Sequence, residues 1–96
     1  MKTFWQLGIG DSVYVLDESD DKLDKVTVTG DYLDSEHCIE VEWCDGEKVK
    51  VFVGDGDDTE SYYQNKWWYS DKEALFYYLE HQIYRYKRLM WNFGEL

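Results

Sequence analysis

The sequence predicts an α+β domain: an antiparallel β-meander of four or five strands, followed by one long C-terminal helix. Apolar and polar side chains alternate in much of the first 53 residues, which is the period of half-buried strands. From Ser70 onward the apolar residues recur at helical spacing. A chain of 96 residues is long enough for one domain with a single core. We therefore expect one domain over 1–96, with the sheet in 1–69 and the helix in 70–91.

The first two strands are predicted from alternation and from the turns beside them. A turn at 8–11 precedes the alternating residues of 13–16, and a second alternating run at 26–29 ends at Gly30. The acidic residues of 17–24 lie between these two runs, and we expect them to form a polar loop.

A hairpin centred on Asp45 and Gly46 has the best-defined register. A two-residue turn would mix apolar and charged residues on both faces of the hairpin. A three-residue loop of Cys44, Asp45 and Gly46, with Gly46 left-handed, separates them. The expected cross-strand pairs are Val41 with Val49, Ile39 with Val51, Glu42 with Lys48 and Glu40 with Lys50, with Trp43 opposite Glu47.

The rest of the predicted sheet leads directly into the helix. Residues 54–60 form an exposed acidic loop, and 62–69 are extended, with a last strand over 67–69. Ser70 and Glu73 have the spacing of a capping box, and Asp71 suits the positive first turn of a helix. These residues predict that the helix begins at Ser70.

Two segments of the chain resemble known proteins. The run GDSVYV at 10–15, followed by KVTVTG at 25–30, resembles the strand spacing of small SH3-like barrels. Together with WWYSDKEA at 67–74, it is similar to a group of small uncharacterised proteins of gut bacteria and their phages. Those proteins have an early GDxVY strand and a Ser/Thr-x-x-Glu-Ala helix start. The resemblance covers about a quarter of the chain. It implies an SH3-like fold and a mobile-element origin, and no activity.

Charged and aromatic residues divide the chain in opposite ways. Residues 1–60 carry 17 acidic side chains against 5 basic ones, whereas 61–96 carry 12 of the 18 aromatic residues and a net charge of +1. The overall net charge of −11 argues against direct binding to nucleic acid or to an anionic membrane, since phosphate contacts need Lys and Arg. It favours a basic protein as the partner, or serves solubility alone.

No segment has a catalytic or metal-binding pattern, so we expect a protein that is not an enzyme and needs no cofactor. A calcium loop beginning at Asp55 would need Gly at its sixth position, where the chain has Glu60. His37 and Cys38 are neighbours on a predicted strand and would point to opposite faces, which disfavours a catalytic pair. Cys38 and Cys44 lack the spacing of a zinc site, and without a secretion signal they predict reduced thiols in the cytoplasm.

Three acidic segments supply the net charge once the Glu–Lys pairs of the hairpin are set aside. Residues 17–24 carry −4, 31–36 carry −3 and 55–60 carry −4. Gathered on one side, such loops approach the charge density of duplex DNA, about one charge per 3.4 Å along each strand. They predict a nucleic-acid mimic of phage or mobile-element type, which blocks a host defence nuclease or another nucleic-acid-binding protein. The predicted contact residues are Asp17, Glu18, Asp20, Asp21, Asp24, Asp55, Asp57, Asp58 and Glu60.

An aromatic strip on the predicted helix gives an alternative function. Tyr77, Tyr84 and Trp91 recur every seven residues opposite the apolar face, with Arg88 beside them. Tyr, Trp and Arg are enriched at interface hot spots. The alternative is a structural or adaptor module that binds a protein partner through this strip, or covers the strip in a helix-to-helix homodimer. The sequence leaves equally open that the C-terminal residues, with Phe93 and Leu96, fold back and cover the strip within one chain.

Overall fold

The computed structural model describes residues 1–20 and 22–80. Six antiparallel strands form one sheet, in the order β4-β3-β2-β1-β6-β5, and the sheet curls into half a barrel. A 3₁₀ turn, Phe4–Gln6, precedes the sheet, and helix α1, Lys72–Glu80, follows it. The strands are β1 (Ser12–Asp17), β2 (Lys22–Leu33), β3 (Cys38–Glu42), β4 (Lys48–Phe52), β5 (Glu60–Tyr63) and β6 (Lys66–Tyr69).

The predicted fold class is wrong in its sheet and in its helix. The sheet has six strands, where an SH3-like meander of four or five was expected, because 60–69 form a hairpin and not one extended segment. Gln64 and Asn65 make its two-residue turn, with φ of 54° and 63°, which is the left-handed backbone that such turns require. The helix is short, Lys72–Glu80, where a long helix over 70–91 was expected. Residues 81–91 of the predicted helix lie outside the described residues.

The β3–β4 hairpin has the predicted register. All four expected cross-strand pairs are present, and the Trp43 N–H donates to the Glu47 carbonyl at 2.9 Å. Gly46 is left-handed, with φ of 91°, as the three-residue loop requires. The valines and the isoleucine of the hairpin face the inside of the curl, so that alternation alone was enough to define this register.

Strand β2 is longer than predicted and reaches both ends of the sheet. Its first half pairs with β1 and its second half with β3, with Thr27 opposite both Ser12 and Glu42. The register with β3 shifts near Gly30, and this irregularity lets the strand continue past the glycine that was expected to end it. The β1–β2 turn and the β2–β3 turn consequently lie at opposite ends of the sheet.

Buried side chains form one cluster on each face of the sheet. Trp68 is the largest buried side chain inside the curl, and its indole N–H donates to the Tyr63 carbonyl at 2.9 Å, which satisfies the polar atom of this ring. Helix α1 packs on the outer face. The inner cluster comprises Phe4, Leu7, Val13, Val15, Val26, Val28, Tyr32, Ile39, Val41, Val51, Val53 and Trp68, and the outer one Leu16, Leu23, Tyr69, Ala74, Leu75 and Leu79.

No helix within residues 1–20 and 22–80 is both long and apolar enough to cross a membrane.

Asp71 caps helix α1, in place of the expected Ser70. The Asp71 carboxylate accepts the Glu73 N–H at 2.9 Å, and its carbonyl accepts the Leu75 N–H at 3.2 Å. Ser70 is buried and donates its hydroxyl to the Lys2 carbonyl at 2.6 Å. The Asp71 carboxylate also accepts the Lys2 N–H at 2.9 Å, so the helix start holds the N-terminal segment in place. Burial alone would raise the pKa of Asp71, but the N–H groups of Lys2 and Glu73 and the N-terminal amine hold it below its usual range.

Replacing Asp71 by Ala should lower the free energy of unfolding by about 1 kcal/mol, the usual cost of losing an N-cap. Because the pKa of Asp71 is lower in the folded than in the unfolded chain, its carboxylate stabilises the fold above about pH 4, and this contribution is lost as the pH falls through the folded pKa. Urea denaturation checks both effects. D71N, which keeps a capping oxygen, should retain most of the stability at pH 7 and lose less in acid. Equal stability of D71A and the wild type at pH 7 would contradict this cap.

Candidate binding site

Two of the three acidic segments meet at one end of the sheet. The β2–β3 turn at 34–37 and the β4–β5 connection at 53–59 both leave the sheet where Cys38 pairs with Leu33 and with Phe52. The Val53 N–H donates to the His37 carbonyl at 2.9 Å and joins the two segments. The segment 17–24 lies at the other end of β2, which is 12 residues long at about 3.3 Å per residue. The acidic segments 31–36 and 55–60 therefore converge, and 17–24 is separate from them.

The N-terminal 3₁₀ turn completes this end of the sheet. The Phe4 N–H donates to the Asp58 carbonyl at 3.0 Å, and the Trp5 N–H donates to the Gly56 carbonyl at 2.8 Å. Phe4 is fully buried in the inner cluster, whereas Trp5 remains 61% exposed. The turn thus holds the 53–59 connection against the sheet and places an exposed indole beside it.

These segments line an open cleft of about 570 Å³, which we call the acidic cleft. Its volume falls in the range of about 300–1,000 Å³ that is usual for ligand sites. None of the described residues that line it is Lys or Arg. Its ring-bearing residues are Trp5, Tyr32, His37 and Phe52, its carboxylates are Asp34, Asp55 and Asp57, and Gly54 and Gly56 complete the lining.

Tyr32 connects the two acidic segments beneath the cleft. Its hydroxyl donates to the Gly54 carbonyl at 2.9 Å and lies 3.2 Å from Nδ1 of His37. The tyrosine hydroxyl has one proton and donates it to the Gly54 carbonyl. Nδ1 of His37 is therefore the donor in the hydrogen bond between His37 and Tyr32.

The position of the His37 ring follows from the backbone of its turn. The Glu36 N–H donates to the Leu33 carbonyl at 3.1 Å, which closes the turn, and His37 follows with a left-handed φ of 53°. Histidine is one of the few non-glycine residues enriched in this conformation. The ring centroids of His37 and Phe52 lie 6.2 Å apart with the planes at 72°. The turn therefore sets the imidazole against an aromatic side chain of β4.

The three carboxylates of the cleft are exposed, and, besides burial, the charge of each raises the pKa of Tyr32. Asp55 closes its own turn, since its carboxylate accepts the Asp57 N–H at 2.9 Å and its carbonyl accepts the Asp58 N–H at 3.1 Å. Burial, and the charges of Asp34, Asp55 and Asp57, raise the pKa of Tyr32. The hydroxyl of Tyr32 is therefore protonated at neutral pH, as its hydrogen bond to the Gly54 carbonyl requires.

Gly56 is required by the packing of the cleft wall. A Cβ atom at this position would lie 2.8 Å from Cε1 of Tyr32 and 3.2 Å from Cβ of Trp5. Tyr32 is buried and fixed through its hydroxyl, so its ring has little room to move. The absence of a side chain at Gly56 lets the 53–59 connection lie directly on the Tyr32 ring and on Cβ of Trp5.

The predicted contact residues of 17–24 lie far from the acidic cleft. Asp20 is exposed, and Asp21 lies outside the described residues. Asp17, Glu18 and Asp24 have nearby partners, which are the Ser19 hydroxyl, the Trp67 indole N–H and the Lys22 ammonium group, respectively.

Three of the four predicted contact residues of 55–60 lie in or next to the cleft. Asp55 and Asp57 line it, and Asp58 is exposed beside it. Glu60 is exposed, begins β5 and lines a separate depression beside helix α1.

Only the first residue of the predicted aromatic strip can be placed. Tyr77 lies on α1 and is 64% exposed. The other three, Tyr84, Arg88 and Trp91, lie outside the described residues.

Sequence reasoning missed most of the cleft. Phe52 gave a signal, because it follows Lys48 and Lys50 on the outer face of β4, where a polar residue was expected. Trp5 gave none, since its partner Gly56 is 51 positions away in the sequence. Tyr32 and His37 lie near the end of β2, which is Leu33, whereas the predicted strand ended at Gly30.

The chemistry of the described residues suits cation binding better than nucleophilic catalysis. Burial and the Glu36 carboxylate raise the pKa of the Cys38 thiol, which disfavours the reactive thiolate. Within residues 1–20 and 22–80, no group of three or more His, Cys, Asp or Glu side chains is arranged to hold a metal ion. What the cleft offers is a negative field together with exposed aromatic rings, and both attract an organic cation.

No protein-family model matches the chain, and neither a curated protein nor a solved structure matches it.

Replacing Tyr32 by Phe should lower the free energy of unfolding by about 0.5–1.5 kcal/mol, because the Gly54 carbonyl and Nδ1 of His37 lose their shared partner. In the wild type, neutral His37 should carry its proton on Nδ1, and the variant should lose this preference. Urea denaturation measures the first effect and ¹⁵N NMR of the imidazole the second. Tyr62→Phe, at an exposed tyrosine of β5, is the matched control and should change neither. A wild-type His37 protonated on Nε2 alone would contradict the hydrogen-bond assignment.

Proposed function

We propose that this protein is a non-enzymatic acidic interaction protein, which binds a basic protein partner at the acidic cleft and competes there with nucleic acid. The observation that supports it best is the convergence of segments 31–36 and 55–60 at one end of the sheet, around a cleft with three carboxylates and no Lys or Arg among its described lining residues. A nucleic-acid-binding protein presents Lys and Arg in its own binding site. The charges of the two surfaces are therefore complementary.

The excess of negative charge at this end is large for so small a protein. The two segments contain seven acidic side chains. Lys50 lies 3.3 Å from Glu36 and offsets one of them. A local field of this kind raises the rate of encounter with a basic partner, and the rate falls as salt screens the charges.

In this proposal the competition is steric as well as electrostatic. The carboxylates occupy the positions that phosphate groups would take on the partner, and the body of the sheet blocks access to the groove. The partner is a host defence nuclease or another nucleic-acid-binding protein, and the protein acts as an inhibitor of phage or mobile-element type. The segment 17–24, at the far end of β2, adds to the net charge and does not contact the partner.

A displacement assay tests this function with a defined probe. A fluorescein-labelled 20-base-pair duplex is bound to an oligo-lysine peptide at about 0.05 M salt, and the protein is titrated in while anisotropy reports the free duplex. We expect the wild type to release the duplex, and less well as the salt rises to about 0.5 M, because screening shortens the range of the field. The triple variant D34N/D55N/D57N should need at least about tenfold more protein, since three charges of the contact surface are removed.

The matched control changes the same number of charges elsewhere. D20N/D24N/E47Q removes three carboxylates away from the cleft: Asp20 lies in the β1–β2 turn, Asp24 near the start of β2 and Glu47 in the β3–β4 turn. It should displace the duplex within about twofold of the wild type if contact occurs at the cleft. Equal losses in the two triple variants would show that only net charge matters and would overturn the proposed site. If the wild-type protein does not displace the duplex at low salt, the proposed function is wrong.

A further inference from the structure

We infer that the acidic cleft holds a single arginine side chain of the basic partner, and that this arginine anchors the complex. The inference rests on the proposed function, and it specifies which cation the cleft selects. Net charge alone would attract any basic peptide. The aromatic rings and the arrangement of acceptors in the cleft favour one kind of cationic group over another.

Two aromatic rings of the cleft are exposed. Trp5 is 61% exposed and Phe52 is 50% exposed, and both line the cleft, whereas Tyr32 is buried. Trp5 and Tyr32 form an edge-to-face pair, with the planes at 79° and the centroids 5.9 Å apart, and this contact leaves most of the Trp5 side chain exposed. An exposed aromatic face attracts a cation through the quadrupole of the π-system.

Three of the polar side chains that line the cleft are carboxylates, those of Asp34, Asp55 and Asp57, and a carboxylate accepts hydrogen bonds through both of its oxygens. A ligand that suits this set must offer several N–H donors in different directions. It must also have an apolar surface for Trp5 and Phe52.

The guanidinium group of arginine meets both requirements. It is planar, presents five N–H donors at its edge, and stacks its faces on aromatic rings. The ammonium group of lysine is a compact charge with a tightly held hydration shell, which it must lose in order to contact the rings. The carboxylates therefore attract both residues, and the aromatic walls discriminate in favour of arginine.

Two peptides of equal length and charge separate these contributions. Nona-arginine and nona-lysine are titrated into the wild-type protein at about 0.1 M salt, with fluorescein labels and anisotropy as the readout. We expect nona-arginine to bind at least about tenfold more tightly, equivalent to about 1.4 kcal/mol. W5A and F52A should each remove most of this preference and leave nona-lysine binding within about twofold. F52L removes the ring but keeps an apolar side chain of similar size, and it replaces F52A as the test if F52A does not fold.

The control is an exposed aromatic residue away from the cleft. Tyr62 is 55% exposed on β5 and contacts Trp67, so Y62A should retain the preference for arginine. Equal affinity for the two peptides, with both weakened in D34N/D55N/D57N, would overturn the arginine site and leave the proposed function standing. A preference for arginine that persists in W5A and F52A would also overturn it. Binding of neither peptide would overturn the inference and the proposed function together.

Discussion

The arrangement of the charged surface depends on the length of β2. This strand of 12 residues pairs with β1 in its first half and with β3 in its second. Its two turns therefore lie at opposite ends of the sheet, and so do the acidic residues that surround them. Because β4 runs antiparallel to β3, the β4–β5 connection lies at the same end as the β2–β3 turn. The pairing of the strands decides which carboxylates become neighbours, and it brings together two of the three acidic segments.

Two negatively charged segments repel each other, so their convergence requires attachments that offset the repulsion. The backbone provides several of them. The Val53 N–H bonds to the His37 carbonyl, and the N–H groups of Phe4 and Trp5 bond to the 53–59 connection. Each such hydrogen bond contributes about 0.5–1.5 kcal/mol. The hydroxyl of Tyr32 adds a link to Gly54. A cation bound in the cleft would relieve the remaining repulsion, which couples binding at this end to the stability of the fold.

Sequence reasoning succeeded where one local pattern decided the structure. The β3–β4 hairpin has a single register that puts its valines on one face, and its turn needs a left-handed Gly46. It failed where contacts between segments that are distant in the sequence determine the structure. The turn at Gln64 and Asn65 has no glycine to mark it, and Asp71 became the cap because Ser70 bonds to the N-terminal segment. The acidic segments were recognised, but their grouping around Tyr32 required the full topology of the sheet.

The most direct test of the central claim is a map of amide chemical shifts in the ¹⁵N-labelled protein on titration with nona-arginine at about 0.1 M salt. If the partner site is the acidic cleft, the largest changes should fall on Trp5, 34–37 and 54–58. The amides of 18–20, at the other end of β2, should change little, although segment 17–24 carries the same net charge as 55–60. Changes of similar size at both ends would mean that the peptide follows net charge alone. That result would contradict the claim that the fold builds one binding site.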